Sequence, residues 1–237
     1  MEAPWSGGIG QERKSCTAVW LGTVPYLEAW DLQRRLHERV VEGKLPNLLL
    51  LLEHPHVYTL GRRGADSDIL VSGEKLAELG AETHFIDRGG EATYHGPGQL
   101  VGYPIVNLRE SGDGPLSYVR ALVNAITLTL AEFGILGESD GRPTGVWAGD
   151  AKIAAIGVKI SRGVTMHGFA LNVEPDLSYF DHIIPCGMPG AAATSMSSEL
   201  SEHLDMDRVM PTLATHLADT LRWTLRWSTL ESLSEAQ

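Results

Sequence analysis

Only two cysteines, Cys16 and Cys186, occur in the 237 residues, and no spacing pattern relates them. A disulfide framework is therefore not expected, and both read as free thiols of a reducing compartment. Lysine is scarce too: five of the 19 basic residues are lysine, so each is a candidate for chemistry. Positive charge is outweighed overall, with 30 Asp and Glu and a net charge of −11. No nucleic-acid partner is expected, since neutralising phosphates takes clustered cations. No uncharged apolar run approaches the roughly 18 residues of a bilayer span, so no membrane partner is expected either. The opening MEAPWSGGIGQERKSC lacks the apolar stretch of a secretory signal and the arginines of a transit peptide. Residues 1–15 read as a loose tail before a single catalytic domain over 16–237, working in the cytoplasm. Metal-ligand clusters are missing as well. His54 and His56 flank Pro55 in EHPH with nothing to complete a set, and no metal or other cofactor is expected.

What remains is the composition of a globular chain, 43% apolar and 21% charged, long enough for one full core. CTAVWLG reads as a strand, and Tyr26 to Val41 as an amphipathic helix with Leu27, Trp30, Leu36 and Val40 near one face, closed by Gly43. LLLLLEH, from Leu48, is too continuous for a surface strand and is expected to be buried on both faces, with VYTLG as its neighbour. Ser72 and Gly80 bound a short helix, THFIDR and LVGYPIVNL read as strands, and Gly134 stops the longest helix, Pro115 to Phe133. KIAAIGVKI and VTMHGFALNV form two strands around SRG, and Asp207 to Trp223 is helical despite Pro211. Strands and helices mix without strict βα alternation, which makes the fold α+β, with mixed sheets flanked by helices.

Three places carry chemistry. DRGGEATYHGPGQLVGYPI packs five glycines and two prolines around His95, suiting a loop that folds closely against a ligand or, equally, two ordinary turns. It is neither a Walker loop nor a dinucleotide fingerprint. Cys186, between Pro185 and Gly187 in IIPCGMPG, sits at a tight corner able to present a thiol beside backbone N–H groups. Strand alternation in KIAAIGVKI puts Lys152 on one face with Ala154, Ile156, Val158 and Ile160, where it would lose hydration, and leaves Lys159 solvated on the other. A three-residue turn at Ser161–Gly163 would pair Ile156 with Gly168, Ala154 with Ala170 and Lys152 with Asn172. That makes a slot of small residues for a slender apolar ligand, whereas a two-residue turn would flip the parity.

Taken together, RGGEATYHGPGQLVGYPI, KIAAIGVKI with TMHGFALNV, and IIPCG resemble the lipoyl (octanoyl) transferases, over a stretch from about Trp20 to Leu204. The resemblance implies a fold like that of biotin and lipoate protein ligases. It implies an octanoyl group taken from octanoyl-acyl carrier protein and given to a lysine of lipoyl domains, those of 2-oxoacid dehydrogenases and the glycine cleavage H protein. Cys186 would be the acyl-thioester nucleophile and Lys152 its partner, with His95 or His167 as rival bases. Arg88, Gly89, Gly90, Glu91, Ala92, Thr93, Tyr94 and His95 would line the acyl site with Ala155, Ile156, Gly157, Gly168, Phe169 and Ala170. An acidic carrier docking on an acidic chain needs local cations, for which Arg62 and Arg63, with Arg34, Arg35 and Arg162, are candidates.

Overall fold

The structure is a computed structural model that describes residues 13–112, 114–139, 144–184, 190 and 192–235. Its elements in chain order are β1 (Lys14–Thr23), α1 (Tyr26–Val41), β2 (Asn47–Glu53), β3 (Val57–Leu60), α2 (Gly73–Glu78), β4 (Glu82–Phe85), β5 (Ala92–His95) and β6 (Gln99–Ile105). There follow α3 (Leu108–Ser111), α4 (Pro115–Glu132), β7 (Gly145–Ala148), β8 (Ala151–Ser161), β9 (Val164–Asn172), α5 (Met196–Leu200), α6 (Met206–Thr220), β10 (Trp223–Trp227) and α7 (Leu230–Glu235).

Among the described residues the strands form two sheets. The larger runs β10-β1-β2-β6-β9-β8-β7, parallel across β10, β1 and β2 and antiparallel beyond; the smaller runs β4-β3-β5. The leucine run of β2 lies between β1 and β6, and its two faces feed two cores. Leu49 and Leu51 pack with Tyr118, Leu122 and Ile126 of α4 and Leu213 and Leu217 of α6, while Leu48, Leu50 and Leu52 pack with Ala29, Leu36 and Val40 of α1. Helices on both faces are why this strand has no polar alternation.

Several local expectations change. VYTL is not bonded to β2 but centres the small sheet, where Tyr58, Leu60, Ala92, Tyr94 and Ile183 make a separate core. Lys14 and Ser15 belong to β1, and Arg13 donates to Trp223 O at 3.0 Å, so these three residues, expected in a loose tail, are part of the fold. Leu27 is 45% exposed, and α1 buries Tyr26, Ala29 and Gln33 instead. The last long helix stops at Thr220, and Trp223 starts a strand, because the edge of β1 accepts a parallel neighbour there.

The β8–β9 turn differs most. Ser161 pairs with Val164 directly, so the turn holds two residues, Arg162 and Gly163, both at positive φ. Pairing becomes Ala155 with Ala170, Gly157 with Gly168 and Ile156 with Phe169, which overturns the register expected for a three-residue turn.

Candidate active site

A two-residue turn should have put Lys152 away from the small residues, but a β-bulge corrects the parity. β7 meets β8 as Val146 with Ala154 and Trp147 with Lys152, leaving Ile153 as the extra residue. Cross-strand partners share a face, so Lys152 lies on the face of Ala155 and Gly157, not on that of Ala154 and Ile156. Lys159 shares that face too and is not simply solvated: its Nζ contacts Asp87 Oδ2 at 2.5 Å.

Over the small pairs Ala155/Ala170 and Gly157/Gly168 lies the Arg88–Glu91 loop, fixed to the hairpin by Gly89 N–H donating to Val158 O at 3.1 Å. Between loop and sheet is a narrow cleft that opens to solvent. Its walls include Lys152 and every expected acyl-site residue except Tyr94. Tyr94 is fully buried in the small core, packed on Tyr58, Tyr179 and Phe180, with its hydroxyl 2.8 Å from His56 Nδ1. Tyr26, Tyr103 and His167 line the cleft as well. The first two carried no sequence signal, since an aromatic residue at a helix start or within a buried strand reads as core.

The polar residues of the cleft are held by internal bonds. Arg88 Nη2 donates to Thr59 O at 2.7 Å and Oγ1 at 2.9 Å, and Nη1 donates to Gly89 O at 3.0 Å, so its guanidinium clamps the loop to the small sheet. His167, at φ +56°, gives its backbone N–H to Gln33 Oε1 of α1 at 2.8 Å and its Nε2–H to Asp87 Oδ1 at 2.9 Å. Asp87, between His167 and Lys159, is held well below the usual carboxylate range by those hydrogen bonds. Burial lowers the pKa of His167, with Asp87 opposing.

At the other end, His54 Nδ1–H donates to Val24 O at 2.6 Å, so its Nε2 accepts the Tyr103 hydroxyl at 2.7 Å. Burial pushes His54 down to about 4 and Tyr103 well up, which fixes both as neutral. These bonds satisfy His54 and His56 within the fold, and among the described residues no three His, Cys, Asp or Glu converge as metal ligands.

Cys186 lies outside the described residues, but its flanks are placed. Upstream, Ile184 N–H donates to Asp68 O at 2.8 Å; downstream, Lys152 N–H donates to Ala192 O at 2.8 Å and Thr194 N–H to Lys152 O at 3.0 Å. The segment that follows Cys186 is thus bonded to the backbone of Lys152, a half-buried residue whose Nζ lies 5.5 Å from the Trp147 ring centroid. Cys16 is fully buried in β1 with its thiol pKa pushed up by desolvation. Of the expected docking arginines, Arg63 pairs with Glu91 at 2.9 Å, Arg34 with Asp31 at 2.5 Å and Arg162 with Glu38, while Arg35 and Arg62 are exposed.

Residues 25–218 match the family described as lipoyl protein ligase A/B catalytic domain. An octanoyltransferase of Flavobacterium psychrophilum is 46% identical over 213 residues, covering 83% of this chain and 92% of that protein. One from Rubrobacter xylanophilus is 49% identical over 187 residues, covering 78% and 84%. The chain belongs to the octanoyltransferases of this family. Among solved structures, a lipoate-protein ligase A bound with ATP superposes with a TM-score of 0.73 at 18% identity, over 93% of this chain and 92% of the other, which shows the shared fold. The family match spans every residue lining the cleft, and Cys186 with them.

Proposed function

We propose that this protein moves an octanoyl group from the phosphopantetheine thiol of acyl carrier protein to a lysine ε-amine of lipoyl domains, through a thioester on Cys186. The observation that carries the reading is Lys152: an amine in the wall of a cleft floored by alanine and glycine, its backbone bonded to the segment following Cys186. The floor suits a slender acyl chain, because small residues leave room that larger ones would fill. With Cys16 desolvated in the core, Cys186 is the thiol available for attack.

In the first step the Cys186 sulfur, its proton taken by Lys152, attacks the thioester carbonyl. A new C–S bond forms, the bond to the carrier breaks, and the carrier thiol leaves with the proton that Lys152 returns. In the second step the acceptor amine attacks, a C–N bond replaces the C–S bond, and Lys152 takes the amine proton. Exchanging one thioester for another loses little free energy before the amide forms, so no ATP is called for. The acceptors are the lipoyl domains of 2-oxoacid dehydrogenases and the glycine cleavage H protein. The setting is the cytoplasm, which keeps the Cys186 thiol reduced. No helix among the described residues is long and apolar enough to cross a membrane.

The test is intact mass spectrometry of the enzyme after incubation with octanoyl-acyl carrier protein and no ATP. Wild type should gain one octanoyl group, Cys186→Ser none, and Lys152→Ala should gain it at least a hundredfold more slowly. A wild-type enzyme without adduct, or an adduct undiminished in Cys186→Ser, would end the covalent reading; an ATP requirement would favour ligase chemistry.

A further inference from the structure

A line of buried side-chain amides runs from the cleft to the segment after Cys186, and its polarity can be read from end to end. Thr194 O can only accept, so the Asn172 group 2.9 Å from it is Nδ2, and Asn172 Oδ1 faces Gln99. Gln99 therefore turns its Nε2 to Asn172 Oδ1 at 2.8 Å and to Tyr94 O at 3.3 Å. That leaves Gln99 Oε1 facing His95 Nδ1 at 2.7 Å, and an amide oxygen can only accept. His95 must carry its proton on Nδ1. Its Nε2, with no hydrogen-bond partner among the described residues, is left with a free lone pair on a ring that lines the cleft. Gln99 and Asn172 are 2% and 4% exposed, so water does not compete for these bonds.

We infer that Gln99 and Asn172 are positioning residues that lock His95 in the Nδ1–H tautomer, and that His95 Nε2 accepts an N–H of the incoming lysine amine. The inference rests on the acyl-transfer reading above. Of the groups that enter the site, a thioester carbonyl has only lone pairs and is repelled by another, and a thiol is a weak donor. The amine is the strong donor, and Nε2 matches it. Tyr103 lines the same cleft and does not compete as a donor, because its hydroxyl proton is already given to His54. Burial keeps His95 neutral by driving its pKa down to about 3, helped by the repulsion a second proton would meet from His54 and from Arg88 and opposed by the Gln99 hydrogen bond, while the Tyr26 ring stacks on it at 6.0 Å. So weak a base orients the amine without removing its proton, which stays the task of Lys152. The chain also ends where it matters: Thr194, whose carbonyl anchors its polarity, donates its own N–H to Lys152 O.

Two measurements test this. Nitrogen NMR of histidine-labelled enzyme near pH 7, with His95 assigned by comparison with His95→Phe, should show Nδ1 protonated and Nε2 bare; a protonated Nε2, or an imidazolium, overturns the proposal without any variant having to fold. Single-turnover kinetics of Gln99→Leu and Asn172→Leu, followed separately for Cys186 acylation and for transfer to a lipoyl domain, should show acylation within about twofold of wild type. Transfer should slow about tenfold in kcat, the worth of one hydrogen bond, with mixed His95 tautomers in the spectra. Equal slowing of both steps, or of neither, defeats the amine role. Absence of any acyl-enzyme in wild type instead defeats the acyl-transfer reading beneath it, while the tautomer stands or falls by the spectra alone.

Discussion

At the scale of single residues, close approach of backbones sets what the cleft can tolerate. A Cβ on Gly168 would lie 2.2 Å from Gly102 O and 2.7 Å from Pro104 Cδ, both in strand β6, which pairs with β9 and cannot yield cheaply. Gly168→Ala should therefore destabilise the protein by about 1–3 kcal/mol or more, seen as a lower thermal midpoint with acylation yield falling alongside; an unchanged midpoint would show that β6 gives way. Lysine scarcity narrowed the candidates to five and strand alternation singled out Lys152, yet the face that alternation assigned was wrong, because nothing in KIAAIGVKI announces that Ile153 bulges. Tyr26 and Tyr103 stayed hidden for a related reason: their rings serve the core while one edge serves the cleft, and hydrophobic patterning registers only the first role.

At the scale of elements, the β8–β9 hairpin decides which small residues meet. Arg162 at φ +51° and Gly163 at φ +80° make the doubly left-handed turn whose twist matches the flanking strands. Helix α1 braces it, with His37 Nε2 at 3.2 Å from Ser161 O and 3.3 Å from Val164 O, and Glu38 paired with Arg162. SRG by itself does not announce a two-residue turn, because an arginine is a poor occupant of left-handed backbone. Tertiary bracing from α1 is what holds it there, and that support is invisible to local reading. Gly163→Ala adds a second side chain at positive φ and should cost about 1–2 kcal/mol, measured by urea denaturation. Full stability in that variant would mean that the turn can re-form with another register. Boundaries of β2, α1 and α4 were legible to within about a residue, since buried leucines, a proline at the helix start and a glycine at the stop act locally, whereas LVGYPIVNL, expected as one strand, ends at Ile105 and gives way to α3 at Leu108.

At the scale of the whole molecule, the α+β class was legible, but the division into two sheets was not. VYTL and ATYH are four residues each, and only their pairing with each other and with β4 separates them from the leucine strand. That division leaves a seam between the sheets where His54 and His95 are buried as neutral rings, and it gives the protein a characteristic response to acid. Native pKa values of about 4 for His54 and about 3 for His95 lie below the ordinary 6.5, chiefly through burial. An unfolded chain takes up these protons first, so their contribution is complete above about pH 6.5 and is lost as pH falls toward the native values. Between pH 6.5 and 4.5 the pair should remove on the order of 5 kcal/mol of stability, at about 1.4 kcal/mol per unit for each ring. Asp87 acts lower: its depressed pKa makes a contribution that is present above the usual carboxylate range and lost only below it, and His203, raised by Glu174 and fully exposed, opposes weakly. Calorimetry at pH 5 in two buffers of different ionisation heat should find uptake of at least about two protons on unfolding. A thermal midpoint that stays flat from pH 6.5 to 4.5 would mean that these rings are already charged, or solvated, in the folded protein.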